Sequence, residues 1–243
     1  MSEEILLQND EFVPAQLLAD RFPLKVDLHQ AYADHPWNLF AQPIYHPTAS
    51  LWLHKDLAQV VAIAALNGRR QHGWTLVVHD SLRPVEAQAL MAETDIVKAN
   101  PQWLQEPRLL SPPGKGAHPR GMAVDVTVLD RVGQIVDMGT HMDQLTAGDN
   151  LNARNYRGFS AEILNNRQQL EALMVEAGKQ IGRPVMPLAN EWWDFRFYPD
   201  DTNRFAPLAE DTLPAYMQMT KAPEPIPEQV LETARKLIDS FEL

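Results

Sequence analysis

Residues 123–138 read Ala-Val-Asp-Val-Thr-Val-Leu-Asp-Arg-Val-Gly-Gln-Ile-Val-Asp-Met, and they form two β-rich runs joined by a short polar segment. The runs Ala123–Leu129 and Gln134–Met138 are rich in β-branched residues, whereas Asp130 to Gly133 have the composition of a tight turn. Two such runs separated by a turn indicate an antiparallel hairpin. We therefore predict an antiparallel sheet near the middle of the chain.

Helical and strand-like patterns lie on both sides of this hairpin. From apolar periodicity, proline and glycine positions and β-rich composition, we predict further elements at Ser50–Arg70 (helix, ending at Asn67-Gly68), Thr75–His79 (strand), Pro84–Ala99 (helix), Ser160–Ile181 (helix) and Glu191–Tyr198 (strand). Helices mixed with strands and a hairpin predict an α+β fold, in which helices pack around a small antiparallel sheet.

A proline-rich segment separates the C-terminal end from the predicted main body. Residues Ala222-Pro-Glu-Pro-Ile-Pro227 interrupt regular structure, and Glu228 to Phe241 again show a helical pattern. We therefore predict one domain over residues 1–221, followed by a proline-rich break and a helix over residues 222–243. This helix is expected to dock onto the main body or onto a partner.

Several classes of function are disfavoured by what the sequence lacks. The chain contains no cysteine, which excludes disulfides, a thiolate zinc site and a cysteine nucleophile. It has no G-x-S-x-G, P-loop, H-E-x-x-H or G-x-G-x-x-G motif, so the commonest serine hydrolases, nucleotide-binding proteins and zincins are disfavoured. The formal net charge of −11 disfavours binding to nucleic acid or to anionic lipid.

The sequence also bears on membrane association and location. The longest apolar runs are far shorter than the roughly 20 residues that a membrane-spanning helix needs. Residues Met1 to Asp10 lack the basic start and long apolar run of a secretory signal. We therefore expect a cytoplasmic protein without membrane contact. The sequence does not specify an oligomeric state.

The segment His118-Pro-Arg-Gly-Met-Ala-Val-Asp125 places an imidazole and a carboxylate on either side of a glycine turn. Both groups are zinc ligands in proteins, and such a pair is able to bind one metal from the two ends of a loop. A polar turn with a hydrogen-bonded histidine is the competing interpretation. The spacing alone leaves both interpretations open.

A second cluster, Glu191-Trp-Trp-Asp194, offers two more carboxylates. Residues three apart on a strand point to opposite faces, so both acids reach one site only if the backbone bulges or the strand ends there. The alternative is a packed tryptophan pair with solvated acidic flanks. In combination with the histidine segment, the cluster supplies a third ligand and a base.

A third cluster is His79-Asp-Ser-Leu-Arg-Pro84. Its arginine, Arg83, lies between a strand end and a proline-started helix and is suited to stabilise an oxyanion or to bind a carboxylate. The structural alternative is an Asp80–Arg83 ion pair or a helix cap.

Together and in this order, the clusters resemble the D-Ala-D-Ala dipeptidases of the vancomycin-resistance type, a branch of the zinc DD-peptidases in peptidase family M15. That family reads Y/F-R-P, S-x-H-x-x-G-x-A-x-D, M-G-x-x-F-D and E-W-W-H. The matching segments here are Leu82-Arg-Pro84, Gly116-Ala-His-Pro-Arg-Gly-Met-Ala-Val-Asp125, Met138-Gly-Thr-His-Met-Asp143 and Glu191-Trp-Trp-Asp194. The resemblance covers roughly Asp27 to Tyr198.

The resemblance implies a hedgehog/DD-peptidase-like fold and a metal-dependent dipeptidase whose partner is a small D-amino-acid dipeptide such as D-Ala-D-Ala. It implies roles for matched positions: metal ligands His118, Asp125 and Asp194, general base Glu191, oxyanion stabiliser Arg83, and Tyr32 and Asp143 facing the free amino group of the substrate.

Two departures from the family pattern leave alternatives open. Asp194 stands where the family has a histidine ligand, so Mn²⁺ or Fe²⁺ becomes possible beside Zn²⁺, and His141 is a second candidate for the missing imidazole. Gly116 stands where the family has a serine near the substrate. The alternative functions are a catalytically silent relative that binds a peptide or protein, and a carboxypeptidase or amidase acting on peptidoglycan fragments.

Overall fold

The computed structural model describes residues 5–105, 108–144 and 150–243. Residues 1–4, part of the N-terminal segment that lacks the features of a secretory signal, lie outside these ranges. The strands within them are β1 Phe12–Pro14, β2 Leu24–Val26, β3 Trp52–His54, β4 Thr75–Asp80, β5 Ala123–Leu129, β6 Val185–Pro187 and β7 Asp194–Phe197. The α-helices are α1 Ala15–Ala19, α2 Lys55–His72, α3 Val85–Ala92, α4 Asp95–Lys98, α5 Ala161–Gln180, α6 Pro199–Thr202 and α7 Glu228–Asp239.

Five strands form the main sheet in the order β2-β4-β5-β7-β6, and β1 pairs with β3 in a separate antiparallel ladder. In the main sheet β2 runs parallel to β4, and the other neighbouring strands are antiparallel. The predicted α+β class is confirmed. Strands β4 and β5 are almost continuously buried, which places the core of the protein on both faces of the sheet centre.

Helices α2 and α5 pack on each other, and their contact explains why the predicted end of α2 is wrong. The helix continues past Gly68 to His72 and ends at Gly73, which adopts a left-handed conformation with φ of 74°. Gly68 instead lies inside the helix, where an added Cβ would stand 3.2 Å from Leu173 Cδ1 of α5. The glycine therefore serves close helix packing, which a local sequence pattern does not reveal.

Other predicted boundaries shift for identifiable reasons. The helix predicted from Ser50 begins only at Lys55, because strand β3 precedes it. The helix predicted over Pro84–Ala99 divides into α3 and α4, and α4 starts after Thr94, whose backbone is extended. The third predicted helix is confirmed, and the hydroxyl of Ser160 accepts a hydrogen bond from the amide of Ile163.

The turn of the predicted hairpin is present in the structure, but most of its predicted second strand is absent from the sheet. The Asp130 amide donates to the Gln134 carbonyl, and a single antiparallel bridge joins Leu129 to Ile135. The residues beyond that bridge leave the sheet, and β5 instead has β4 as its antiparallel partner on one side and β7 on the other. The antiparallel character was thus predicted correctly, but the partner was not.

The helix predicted near the C-terminus is α7, and it packs against α1 and β1. Its buried residues are Ala234 and Ile238, four positions apart on one face. No helix in the described ranges combines the length and apolar character needed to cross a bilayer.

Candidate active site

Three aspartates lie side by side across the centre of the main sheet, and we call them the aspartate row. Asp80 on β4 is in register with Asp125 on β5, which is in register with Asp194 on β7. Directly opposed residues point to the same face, so three carboxylates meet there, and all three are buried. Adjacent like charges are destabilising, and the fold must therefore supply cations around the row.

The first cation comes from the turn that precedes β5. His118 opens a 3-10 turn, His118–Arg120, which ends at Gly121 in a left-handed conformation with φ of 61°. The His118 Nδ1 atom lies 2.8 Å from the Ser81 carbonyl oxygen. Its Nε2 atom lies 3.6 Å from Asp125 Oδ1 and 3.3 Å from Asp194 Oδ2. The structure thus brings together the three residues that the resemblance implied as metal ligands.

Two arginines complete the charge balance. Arg83 donates from Nε to Asp80 Oδ2 at 2.7 Å, and its Nη2 lies 3.4 Å from Asp125 Oδ2. Arg196, two residues after Asp194 on the same face of β7, donates from Nε to Asp194 Oδ1 at 2.8 Å and from Nη2 to Oδ2. The Asp80–Arg83 ion pair that the sequence left open is present. Arg196 is a site residue that the sequence analysis missed.

The base candidate Glu191 reaches the same cavity because the predicted strand over Glu191–Tyr198 is wrong at its beginning. Strand β7 starts only at Asp194, and the residues before it form a turn. That turn removes the strand geometry that would have sent Glu191 and Asp194 to opposite faces. Burial, followed by the charges of Asp194 and Asp125, raises the pKa of Glu191 to about 8.

The charged groups around the aspartate row shift one another's pKa values, because they are buried together. Burial and Arg83 act to lower the pKa of His118, but Asp125 and Asp194 outweigh them and raise it to about 10. Burial opposes ionisation of Asp194, yet Arg196 and His118 hold its pKa well below the usual range. Burial raises the pKa of Asp125. Arg196 therefore keeps Asp194 ionised, whereas Asp125 has the less compensated carboxyl group.

The donor set fits a divalent cation. Asp125 Oδ1 is buried and has no hydrogen-bond partner among the described residues. His118 Nδ1 donates to the Ser81 carbonyl, so once a bound cation displaces the Nε2 proton, the Nε2 lone pair would face the carboxylates, as in histidines that bind metals. Ligand atoms of Asp80, His118 and Asp125 lie within 4.8 Å of one another. One imidazole nitrogen with carboxylate oxygens suits Zn²⁺ or a harder divalent ion.

Two aspartates compete for the role of third ligand. Asp80 accepts hydrogen bonds from the Tyr45 hydroxyl at 2.6 Å, from the Ser81 amide and from Arg83. Asp194 is paired by Arg196. The cluster with the closest ligand atoms contains Asp80, whereas the motif points to Asp194. Each of the two aspartates therefore already has an arginine partner, and only the motif distinguishes Asp194 as the third ligand.

A cavity of about 300 Å³ opens onto this site. It is lined by the predicted residues Arg83, His118, Asp125, Asp143, Glu191 and Asp194. Tyr32 and His141 are not among its lining residues; the side chain of Tyr32 is 47% exposed, and that of His141 is also exposed.

A buried glutamine that the sequence analysis did not single out also lines the cavity. Gln30 is 2% exposed, lines the cavity, and has an Oε1 atom without a hydrogen-bond partner in the described part of the chain. An unpaired buried acceptor is costly unless a ligand supplies a donor. None of the quoted motifs contains Gln30, so no sequence signal indicated such a role.

The remaining predicted substrate contact, Asp143, lies on a loop with an unusual backbone. Its φ is 58°, and its Oδ2 lies 3.2 Å from His29 Nε2. Arg167 of α5 fixes neighbouring parts of the chain by donating to the carbonyls of Met138 and Leu151 at 2.7 and 3.0 Å. The acid thus contacts His29 directly, whereas Arg167 holds residues that precede and follow it along the chain.

Comparison with known proteins shows the family of the chain. A family profile described as D-Ala-D-Ala dipeptidase, peptidase M15, matches residues 17–212. The chain is similar to a D-alanyl-D-alanine dipeptidase of Escherichia coli K12, with 31% identity over 73% of this chain and 81% of the relative. It is also similar to one of Synechocystis, with 26% identity over 50% of this chain and 59% of the relative.

One solved structure shows a weaker likeness. An L-Ala D-Glu endopeptidase of Serratia marcescens superposes with a TM-score of 0.37 and 15% identity, covering 61% of this chain and 83% of its own.

Proposed function

The chain belongs to the D-Ala-D-Ala dipeptidase family of M15 peptidases, and we propose that it is a metal-dependent dipeptidase that hydrolyses a D-amino-acid dipeptide such as D-Ala-D-Ala. The observation that carries the proposal is the unpartnered Asp125 Oδ1 beside His118 Nε2, in a cavity that Glu191 and Arg83 also line. A site of this composition has a ligand set, a base and an anion-stabilising group within one cavity.

In this proposal His118, Asp125 and Asp194 hold the ion. A bound divalent cation supplies Lewis acidity and lowers the pKa of water. The ligand set is more anionic than one with two histidines, so Mn²⁺ or Fe²⁺ is a candidate beside Zn²⁺.

The chain's own groups handle the proton and the developing charge. In its ionised form, Glu191 takes a proton from the attacking water as the water oxygen bonds to the scissile carbonyl carbon. Arg83, held by Asp80, stabilises the oxyanion that forms. When the carbon–nitrogen bond breaks, Glu191 passes the same proton to the leaving amine.

The substrate's free amino group is bound by Asp143. Gln30 is a further candidate for this role beside Tyr32, because it lines the cavity and its Oε1 has no hydrogen-bond partner among the described residues. A buried acceptor that needs a donor discriminates against ligands that lack one.

The test is metal analysis combined with hydrolysis. The purified protein is reconstituted separately with Zn²⁺, Mn²⁺ and Fe²⁺, its metal content is measured by mass spectrometry, and release of free amino acid is followed over a panel of D- and L-dipeptides. We expect the natural chain to bind one ion and to hydrolyse D-containing dipeptides. The Glu191→Gln variant should retain the metal but lose the activity. Absence of both metal and hydrolysis across the panel would reject the proposal.

A second candidate is a catalytically silent relative that binds a peptide, and the pairing of Asp194 with Arg196 favours it. A ligand already occupied by a guanidinium binds an ion less readily. The variant Asp194→His separates the two functions. Activity that appears only in this variant shows that the natural chain is silent, whereas activity present in the natural chain shows that the aspartate suffices.

A further inference from the structure

The 3-10 turn His29–Ala31 lies beside Asp143, the residue to which the substrate's amino group is assigned. The Gln30 carbonyl accepts a hydrogen bond from the Ile44 amide at 2.8 Å, which ties the turn to a second segment of the chain. Gln30 lines the cavity, whereas His29 is not among the lining residues. Any effect of His29 on a ligand in the cavity therefore passes through a neighbouring side chain.

The side chain of His29 is fully buried, and only one of its two ring nitrogens is bonded in the described part of the chain. Its Nε2 atom lies 3.2 Å from Asp143 Oδ2, whereas its Nδ1 atom is buried without a partner. An ionised carboxylate only accepts hydrogen bonds, so Nε2 is the donor. A doubly protonated ring would bury a charged N–H group without an acceptor, which is costly. The His29 ring is therefore a neutral donor to Asp143.

Two further imidazoles pack close to the His29 ring. The ring centroids of His35 and His79 lie 5.3 and 5.7 Å from that of His29. Each of these rings bonds elsewhere, because His35 Nε2 lies 3.1 Å from Asp27 Oδ2 and His79 Nε2 lies 2.7 Å from a threonine hydroxyl of β5. The packed rings thus hold His29 in place and leave it to bond with Asp143.

A neutral donor orients Asp143 without cancelling its charge. The Asp143 side chain is 25% exposed and lines the cavity, so part of its carboxylate is open to a ligand. A cationic side chain in place of His29 would form an ion pair with this carboxylate and compete with an ammonium group for it. A carboxylate that is ordered before the ligand arrives also loses less side-chain entropy on binding.

We propose that His29 is a positioning residue, which orients the Asp143 carboxylate toward the substrate's ammonium group and leaves its negative charge uncompensated. This inference rests on the proposed function. It assigns part of the preference for a free amino group to a histidine that does not touch the substrate. A ligand without an ammonium group does not use Asp143 and is therefore indifferent to His29.

The test compares D-Ala-D-Ala with N-propanoyl-D-alanine, which carries a hydrogen atom in place of the amino group. Binding is measured by titration calorimetry in metal-loaded Glu191→Gln, so that the dipeptide is not consumed. We expect the dipeptide to bind at least about 10-fold more tightly than the analogue, as is typical of hydrogen bonds between charged groups.

Two amide side chains of different length separate positioning from packing. His29→Gln places its amide nitrogen near the position of Nε2 and should keep the preference for the dipeptide within about 2-fold. His29→Asn places its amide near Nδ1 instead and loses the donor to Asp143. It should weaken binding of the dipeptide by about 5-fold and leave binding of the analogue unchanged.

Two additional measurements keep the test decisive. His29→Leu, which is closer to histidine in volume and also lacks the donor, replaces His29→Asn should circular dichroism show that the latter is unfolded. In an Asp143→Asn background, removal of the His29 donor should change the binding of neither ligand, because the group that it orients is gone.

His54→Asn is the matched control. His54 is also buried, but its Nδ1 accepts a hydrogen bond from the Asp56 amide, and it is not among the residues that line the cavity. Both ligands should therefore bind to this variant as before.

The outcomes separate this inference from the proposed function. An unchanged preference in His29→Asn, or an equal loss of affinity for both ligands, overturns the positioning role, while hydrolysis by the natural chain still supports the dipeptidase. A loss of preference in His29→Asn that persists in the Asp143→Asn background also overturns it. Failure of the natural chain to hydrolyse any dipeptide, with no binding of either ligand, overturns both.

Discussion

Replacing Glu191 by glutamine is expected to stabilise the metal-free protein at neutral pH. Its pKa is about 8 in the folded chain against 4.5 for an unperturbed glutamate, so above pH 4.5 the unfolded state releases a proton that the folded state retains. A carboxyl group with a raised folded pKa lowers stability as the pH rises, and the loss is complete only above pH 8.

The size of the effect follows from the linkage slope. One proton contributes at most about 1.4 kcal/mol per pH unit, hence at most about 3 kcal/mol between pH 5 and 7. Glu191 keeps some exposure to the cavity, which screens its charge, so we expect about 1–2 kcal/mol. Glutamine has no proton to release, and its free energy of unfolding should lack this decline.

The assay is urea unfolding of chelator-treated protein at pH 5, 6, 7 and 8. The difference between the natural chain and Glu191→Gln isolates this carboxyl, because the other titrating groups are common to both. Glu224→Gln, at an exposed position, is the control and should follow the natural chain. Parallel curves for the natural chain and Glu191→Gln would refute the reasoning.

Three further substitutions test the support of the site. Tyr45→Phe removes a buried hydrogen bond to the β4 member of the aspartate row, so the free energy of unfolding should fall by about 1–2 kcal/mol, and an unchanged value would contradict that bond. Gly178→Ala places a Cβ 2.7 Å from Val185 Cγ2 and should cost about 1–3 kcal/mol in urea unfolding, unless β6 shifts freely. Arg167→Met releases the Met138 and Leu151 carbonyls, which precede and follow Asp143 along the chain, so KM for a dipeptide should rise several-fold; a change in kcat alone would argue against a positioning role.

The chemistry of the site was more accessible from the sequence than its architecture. His118, Asp125 and Asp194 lie in short motifs, and the structure brings their side chains together. Motifs preserve residue type and spacing, which is what a ligand set requires. The α+β class followed from alternating patterns, because burial imposes periodicity on helices and strands.

What the sequence did not reveal depends on contacts between distant segments. The interior position of Gly68 depends on its approach to α5, and the register of Asp80 with Asp125 depends on an irregularity in β4. Gln30 was missed because glutamine has no residue-type signal for a binding role. Arg196 was missed because its importance depends on Asp194 pointing to the same face of β7.

The pairing of Asp194 with Arg196 also determines how a substitution at position 194 has to be interpreted. Asp194→His removes the carboxylate that neutralises Arg196 and leaves a buried guanidinium beside a new imidazole. Loss of activity in that variant would therefore report an unpaired charge as readily as a lost ligand. The double variant Asp194→His/Arg196→Met removes the unpaired cation, and ion binding in this background depends on the imidazole itself. If only the double variant binds an ion tightly, Arg196 is the group that weakens the ligand set of the natural chain; equal affinity in both variants shows that the guanidinium does not compete.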